Sequence, residues 1–377
     1  MDLSLNDTQQ LIQDSARDFV RGACNRDVLL KLDRDPAAIM SGIWKQMAEL
    51  GWAGMAIPEA YGGTGNSLTD VAVLFEELGC GPVPGPLFSS AVLCARILLE
   101  AASEDAKKAW LPRIASGERV FALALTEAQY GWSAESIRLA ARSDGKDFVL
   151  NGAKVFVHDA LHATDLLVAA RINGATGVSL LRVDAKAAGV GVRALDGFIT
   201  GMSEVTFDNV RAVSGDLIGS AGGAWAPLER AMLAVTPVLC AYKVGACKTV
   251  YDMSVNYARE RTQFGQIIGR FARVQDHIIH MVNYLDSARW TTYEALCKLD
   301  SGMDAAASCH VAKSVASESY MRACDYAHEV HAGIGVLREY GLTLHTKMSR
   351  TLYHCLGAPS VHRNRLESAL GLVAQTA

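Results

Sequence analysis

The residues of this chain whose types and spacing best suit chemistry lie between Tyr257 and Gln275, in YARERTQFGQIIGRFARVQ. Arg261 supplies a planar cationic fork suited to a phosphate or a carboxylate, and Phe264 a flat apolar surface. Gly265 suits the left-handed backbone needed just past a helix. Such a turn can cradle a nucleotide cofactor, and the same parts also make a capped helical hairpin with an ordinary surface arginine. His277 and His280 stand at i, i+3, a spacing open to a metal. With no carboxylate or cysteine at ligand spacing they read as a helix-surface pair, and no metal site is expected.

The elements that would position these groups belong to a chain of 377 residues, half of them hydrophobic, with a mean hydropathy of +0.14. That is enough for two or three packed layers or domains. A formal net charge of -4 and a pI near 6.2 argue against a nucleic-acid surface or a polybasic membrane anchor. The nine cysteines are scattered and never in C-x-x-C spacing, which argues against a disulfide framework or zinc and for a reducing cytoplasm. The start, MDLSLNDTQQ, lacks the basic and apolar regions of a signal peptide. The apolar run from Leu87 to Ala102 is interrupted by Arg96 and Glu100, so no membrane span is expected.

From Asn6 to about Gly117 the pattern is helical. Asn6 or Asp7 can cap a helix whose apolar positions are Leu11, Ile12, Ala16, Phe19 and Val20. Further helices are expected around Ile43 to Leu50, Leu68 to Leu78 and Ala91 to Ala102, with the glycine-rich loop Pro58 to Gly65 between them. At about Arg119 the period changes to that of strands: Phe121 to Thr126, then Arg138 to Arg142 and Phe148 to Leu150 flanking the hairpin signal Asp144-Gly145. Asp165 to Arg171, Val178 to Val183 and Glu204 to Phe207 continue it. After Gly222-Gly223 come four long helices, Ala224 to Glu260, Gln275 to Leu299, Ala305 to His331 and Glu339 to Ala374. The fold class is α+β: an N-terminal helical domain (1–118), a small central β domain (119–221) and a C-terminal four-helix bundle (222–377).

That order of elements, with four motifs, resembles the acyl-CoA dehydrogenase family over nearly the full chain. The motifs are Glu49-Leu50-Gly51-Trp52 through Pro58 to Gly65, Ala124-Leu125-Thr126-Glu127, Arg261 to Gly265, and His331-Ala332-Gly333-Ile334-Gly335. The resemblance implies an oxidoreductase acting on CH–CH donors, with FAD as cofactor, an acyl-CoA substrate and an electron-transfer flavoprotein or similar acceptor. It implies that Thr126 bonds the flavin ring edge, that Phe156 packs on the ring, and that Gly333 lets the adenosine approach. It further implies that Arg261, with Gln263 and Phe264 beside it, reaches the FAD diphosphate of a neighbouring subunit, so the chain is at least a dimer. Without the resemblance, Thr126 is a strand-end hydroxyl and Phe156 a core aromatic.

The departures from the family pattern fall on the same sites. Phe156 stands where Trp is usual, and His158 where Thr or Ser bonds the flavin's central nitrogen. Imidazole can replace that donor only in the right tautomer. Trp132 and Ser133 follow Gly131 where a Gly-Ser pair is usual, and Glu329 replaces a Gln that meets the nucleotide. A carboxylate there is repelled by a diphosphate, so Glu329 either points away or weakens FAD binding. These variants resemble a bacterial subset of the family that forms enzymes of paired, unlike subunits.

The family's reaction needs a carboxylate to take the proton next to the thioester carbonyl. Counted without gaps from Gly333 to Gly335, one usual position falls on Leu356; counted back from Arg261 through Gly245, the other falls on Val235. Neither side chain accepts a proton. Glu229, six residues before Val235 and roughly 9 Å along a helix, is a weak candidate, and His354 a weaker one. The expectation is a subunit whose catalytic Glu comes from a sister chain. The alternatives are a self-sufficient enzyme with a relocated base and a flavin-free, non-catalytic CoA-binding scaffold.

Overall fold

A computed structural model of the chain describes residues 4–32, 36–197 and 201–372. Helix α1 (Asp7–Gly22) starts at a reciprocal cap in which Asn6 Oδ1 accepts the Gln9 N–H at 2.8 Å and Gln9 Oε1 accepts the Asn6 N–H at 3.2 Å. Ala16 and Phe19 are buried, but Leu11 is 73% exposed, so the apolar stripe is narrower than its sequence suggests. After α2 (Arg26–Leu29), α3 (Pro36–Glu49) and α4 (Leu68–Cys80), the helix expected from Ala91 begins earlier, as a π-helical stretch Leu87–Cys94 that continues into α5 (Ala95–Ala101). Helix α6 (Glu104–Ala115) precedes the sheet.

The β segment comprises β1 (Phe121–Ala124), β2 (Ala140–Asp144), β3 (Asp147–Val157), β4 (Asp165–Ile172), β5 (Ser179–Asp184), β6 (Val190–Ala194), β7 (Ser203–Ala212) and β8 (Leu217–Ile218). They form one sheet in the order β6-β7-β3-β2-β4-β5-β8, with β1 parallel to β4. The hairpin signalled by Asp144-Gly145 forms, with the turn itself at Gly145-Lys146 between the paired Asp144 and Asp147, and Gly145 at φ +64. Strand β6 escapes the sequence pattern because its exposed, half-buried residues carry no clear alternation. Leu150, Val168, Leu181, Val205 and Val210 anchor the apolar core of this layer.

Helix α7 (Trp225–Glu260) follows, then the hairpin β9 (Thr262–Gln263) and β10 (Gln266–Ile267), then α8 (Ala272–Asp300) and α9 (Ala306–His331). Helix α7 is long and apolar enough to cross a membrane, but 89% of its apolar window is buried in protein, as in a core helix. The stretch expected as one helix from Glu339 is two, α10 (Leu342–Tyr353) and α11 (Pro359–Ala369); its expected end at Ala374 lies outside the described residues. Helix α10 is capped at His354, Gly357 lies in the break at φ +103, and Pro359 starts α11 at a position where its missing N–H is harmless.

By internal contacts the chain forms two compact units: Met1–Ile39, Ser67–Val83 and Thr236–Ala377 in one, Met40–Asn66 and Pro84–Val235 in the other. The first holds α1, α4 and most of the C-terminal helices; the second holds the sheet with α5, α6 and the π-helical stretch.

Candidate functional site

Strand β1 leads into the motif Thr126-Glu127, whose position is set by an ion pair. Lys154 Nζ, fully buried, donates to Glu127 Oε1 at 2.8 Å and to the Leu125 carbonyl at 2.9 Å. Glu127 Oε1 also accepts the N–H groups of Arg138 and Leu139, each at 2.9 Å. Burial pushes the Lys154 amine down to about 8 against the pull of Glu127. Burial would raise the Glu127 carboxyl, but the bonds from Lys154, Leu139 and Arg138 hold it below its ordinary value, so the two stay charged together at neutral pH. Thr126 is buried and its hydroxyl donates to the Val155 carbonyl, while the Val155 N–H donates back to the Thr126 carbonyl at 2.9 Å. The hydroxyl proton is thus committed within the chain, which leaves its oxygen as an acceptor.

Two residues on, Phe156 lies where β3 slips register against β7, at φ +56 and 38% exposed. A bulge of this kind re-aims a side chain out of the ladder. The Phe156 ring meets Tyr130 edge-on at 5.6 Å, and Tyr130 meets Trp132 edge-on at 6.3 Å. Ser133 is exposed in the same turn, which closes where the Ser136 hydroxyl donates to the Ser133 carbonyl at 2.6 Å. His158 is half-buried, and Asp159 beside it is buried at φ +59, taking a bond from the Ser89 hydroxyl at 2.6 Å. Burial pushes the Asp159 carboxyl up.

Arg261 to Gly265 is not the helical cap that its glycine suggests. It forms the tip of the β9–β10 hairpin, with Phe264 and Gly265 at φ +53 and +80, the pair of left-handed residues that a tight two-residue turn requires. Arg261 and Gln263 are exposed, and Phe264 is 91% exposed. In the turn after α9 the strained backbone falls on Ala332 (φ +50, ψ -133), and a side chain built on Gly333 would meet nothing within 4 Å. Glu329 is exposed and its charge acts on His277. His277 and His280 both pack on Tyr326, at 5.5 and 5.1 Å, and among the described residues no group of three metal-ligating side chains converges.

Leu356 lies in the break between α10 and α11, buried, at φ +60. Lys313 Nζ donates to the carbonyls of Tyr353 and Gly357 on either side of it, and His362 bonds the Leu356 carbonyl at 2.9 Å through Nε2. The other nitrogen of His362 faces His310 Nδ1 at 3.0 Å. Val235 is buried within α7, and since that helix runs unbroken, Glu229 lies six residues away on a different face. His354 is exposed at the surface, and its imidazole is pushed down by desolvation, then by Lys313 and Lys243.

Burial, with its neighbours' charges, lowers His310 to about 4 and His362 to about 3, and burial alone lowers His345 to about 3. Between these values and an unfolded value of about 6.5 the unfolded chain binds protons that the native one does not. The stability these neutral rings provide is therefore complete above about pH 6.5 and is lost as pH falls toward 3 to 4. Urea midpoints at pH 7, 6 and 5 are expected to fall steeply, and His345→Gln to reduce the slope by about one proton. An unchanged slope in that variant removes His345 from the account.

Seven non-glycine residues have positive φ among those described, and six of them, Tyr130, Phe156, Asp159, Phe264, Ala332 and Leu356, fall in these segments. Such conformations cost free energy and persist where the surroundings impose them, typically at functional sites. Sequence spacing does not reveal them. An aromatic or leucine at a turn position beside glycine is the one local sign, at Tyr130-Gly131, Phe264-Gly265 and Leu356-Gly357.

Sequence models of the acyl-CoA dehydrogenase N-terminal, middle and C-terminal domains match residues 6–118, 122–210 and 228–371. The chain belongs to the acyl-CoA dehydrogenase family and is an FAD-dependent oxidoreductase of the CH–CH class. Among its relatives is the probable acyl-CoA dehydrogenase YngJ of Bacillus subtilis, 29% identical over 91% of this chain and 92% of that protein. Another is the caffeyl-CoA reductase-Etf complex subunit CarC of Acetobacterium woodii, 26% identical over 89% and 90%. The FAD complex of PigA superposes with a TM-score of 0.90 at 26% identity, over 99% of this chain and 100% of that one.

The residues present fit such a cofactor. The β segment offers a half-exposed ring at Phe156 on a re-aimed backbone, and the hairpin tip offers an exposed arginine beside an exposed aromatic ring. The turn at Gly333 leaves open space where a side chain would stand.

Proposed function

We propose that this chain is the base-lacking half of an acyl-CoA dehydrogenase-type enzyme, acting on the α,β-carbons of a CoA thioester with the catalytic Glu supplied by a sister subunit. The observation that carries this reading is that Leu356 and Val235, the two positions from which the family draws its base, are buried apolar side chains. A positioned carboxylate is needed to take the α-proton, and neither can do so. Bound FAD supplies the two-electron acceptor for the hydride leaving the β-carbon.

The chain's own residues bind and orient. Phe156 offers a face to the flavin ring, with Tyr130 and Trp132 behind it, while Thr126 and His158 serve the ring edge and Ser133 the turn beside it. Arg261 gives its fork to the diphosphate, with Gln263 and Phe264 at the same tip. Gly333 leaves room for the adenosine, and the exposed Glu329 is free to turn toward His277, away from the diphosphate. An electron-transfer flavoprotein is the acceptor we favour, by likeness to a subunit named for its complex with one.

The purified chain is expected to show flavin absorbance bands and no turnover of saturated acyl-CoA thioesters with an artificial acceptor, and to gain turnover on co-purification with a Glu-bearing sister chain. Robust turnover by the chain alone would overturn the reading. In that event Glu229→Gln decides whether Glu229 is the relocated base: full activity in the variant eliminates it. A colourless protein that takes up no FAD returns the scaffold alternative.

A further inference from the structure

The amines of Lys243 and Lys313 are used by none of these steps. Lys243 is 1% exposed and Lys313 fully enclosed. Both donate to one hydroxyl, Ser317 Oγ, from 2.7 and 3.0 Å, and Lys313 Nζ donates also to the carbonyls of Tyr353 at 3.1 Å and Gly357 at 2.7 Å. The groups that act on the two amines are each other, Cys240 and Cys355; no carboxylate is among them. Burial pushes both amines below the usual lysine range, and Lys243 pushes Lys313 further. Among the described residues no carboxylate pairs with either amine, and a buried amine pair of that kind is costly and needs compensation.

The compensation comes from the turn itself. Tyr353 ends α10, so its carbonyl is one of those left without a helical partner, at the end of the dipole that favours a cation. Gly357 stands at the other lip, and His362 holds the Leu356 carbonyl between them. Three successive anchors thus fasten a turn in which leucine is kept at φ +60. Lys313 is not itself a relocated base: its hydrogens are committed to Ser317, Tyr353 and Gly357, and it is enclosed beneath the turn.

We propose that Lys313, backed by Lys243 through Ser317, is a positioning residue that fixes the 353–357 turn as a base-free wall against the acyl part of the CoA thioester. The proposal rests on the function given above, which places residue 356 beside the reacting carbons. It goes further in assigning the turn a task without a carboxylate: Leu356 sets the place of the thioester by shape, and the buried amines keep Leu356 where it is.

The test uses the FAD-loaded chain as wild type, Lys313→Met and Ser317→Ala, with acetoacetyl-CoA as the probe. Amide hydrogen exchange reads the turn, and flavin absorbance during titration reads thioester binding. In Lys313→Met the amides of Cys355 to Gly357 are expected to exchange at least about tenfold faster while the middle of α9 keeps its rates. The Kd for acetoacetyl-CoA is expected to rise about tenfold at unchanged FAD content, because a wall no longer preorganised binds less well. Ser317→Ala keeps both amines but removes their shared acceptor; it gives the same pattern at smaller size and carries the test if Lys313→Met does not fold. Faster exchange with an unchanged Kd makes Lys313 a structural brace and overturns the proposal, as does unchanged exchange. A wild-type chain that holds FAD but binds no thioester overturns the function and this proposal together, and is recognised because the wild type itself fails.

Discussion

Gly245→Ala is expected to lower the urea midpoint of unfolding more than any other single-methyl addition in the helical unit. A Cβ at Gly245 would lie 1.7 Å from the carbonyl oxygen of Glu76, and one at Gly79 would lie 1.9 Å from that of Tyr242. Helices α4 and α7 therefore cross backbone to backbone, with a glycine from each at the contact. The obstruction is main chain, so no side-chain rotation relieves it; the helices must separate. Tyr242 Oη on α7 donates to the Val83 carbonyl just past α4 at 3.0 Å, and α4 is tied in turn to α8 by the Glu76 carboxylate, which accepts from Arg289 at 3.0 Å and Tyr293 at 2.7 Å, so α4 has little room to retreat. Overpacking costs about 1–3 kcal/mol and occasionally more, and a gain of up to about 1 kcal/mol in helix propensity offsets part of it. A net loss of about 1–2 kcal/mol is expected. Gly22→Ala is the control, since its Cβ would meet nothing within 4 Å. If the two variants unfold at the same urea concentration, the close crossing does not matter to stability.

That crossing shows where a sequence stops being readable. Helix existence is local: the cap at Asn6 and the apolar spacing after it specify α1, and Asp144-Gly145 specifies the hairpin between β2 and β3. The family motifs marked the flavin-contact candidates for a related reason, since each is a short run of residue types. What was not legible depends on partners far along the chain. Gly245 in sequence is a helix-weakening residue, and only Glu76 explains it. The break at 354–358 carries little local signal because Leu356 prefers a helix, and its left-handed backbone is imposed by Lys313 and His362. Gly357 followed by Pro359 was the available sign. In sequence, the turn at Arg261 fits a helix cap because glycine serves caps and hairpins alike; the left-handed backbone at Phe264 beside it decides for the hairpin.

The pair of Lys154 and Glu127, 27 residues apart, is illegible in sequence for the same reason, and it gives the second large effect. Glu127→Ala leaves a buried ammonium with one carbonyl and orphans the N–H groups of Arg138 and Leu139. Breaking a buried pair from one side costs about 3–5 kcal/mol. Lys154, already lowered to about 8 by burial, loses the partner that held it there and is lowered further. A lysine depressed below its unfolded value of about 10.4 is a liability while charged in the fold. The native state then binds fewer protons than the unfolded one, so stability rises with pH through the window between the two values. Glu127→Ala moves the lower end of that window below the wild-type value of about 8, so its defect is expected to shrink as pH rises toward about 8 and to stay level above it. Glu127→Leu with Lys154→Met is expected to recover part of the loss, since apolar replacement of a buried pair is often neutral. The consequence reaches the cofactor, because the pair clamps β1 to β3 with Thr126 next to Glu127 and Phe156 two residues from Lys154. The ratio of flavin to protein absorbance is expected to fall in Glu127→Ala and to return in the double variant. A single variant that loses stability yet keeps its full flavin would show that the clamp supports the sheet without orienting the residues that meet FAD.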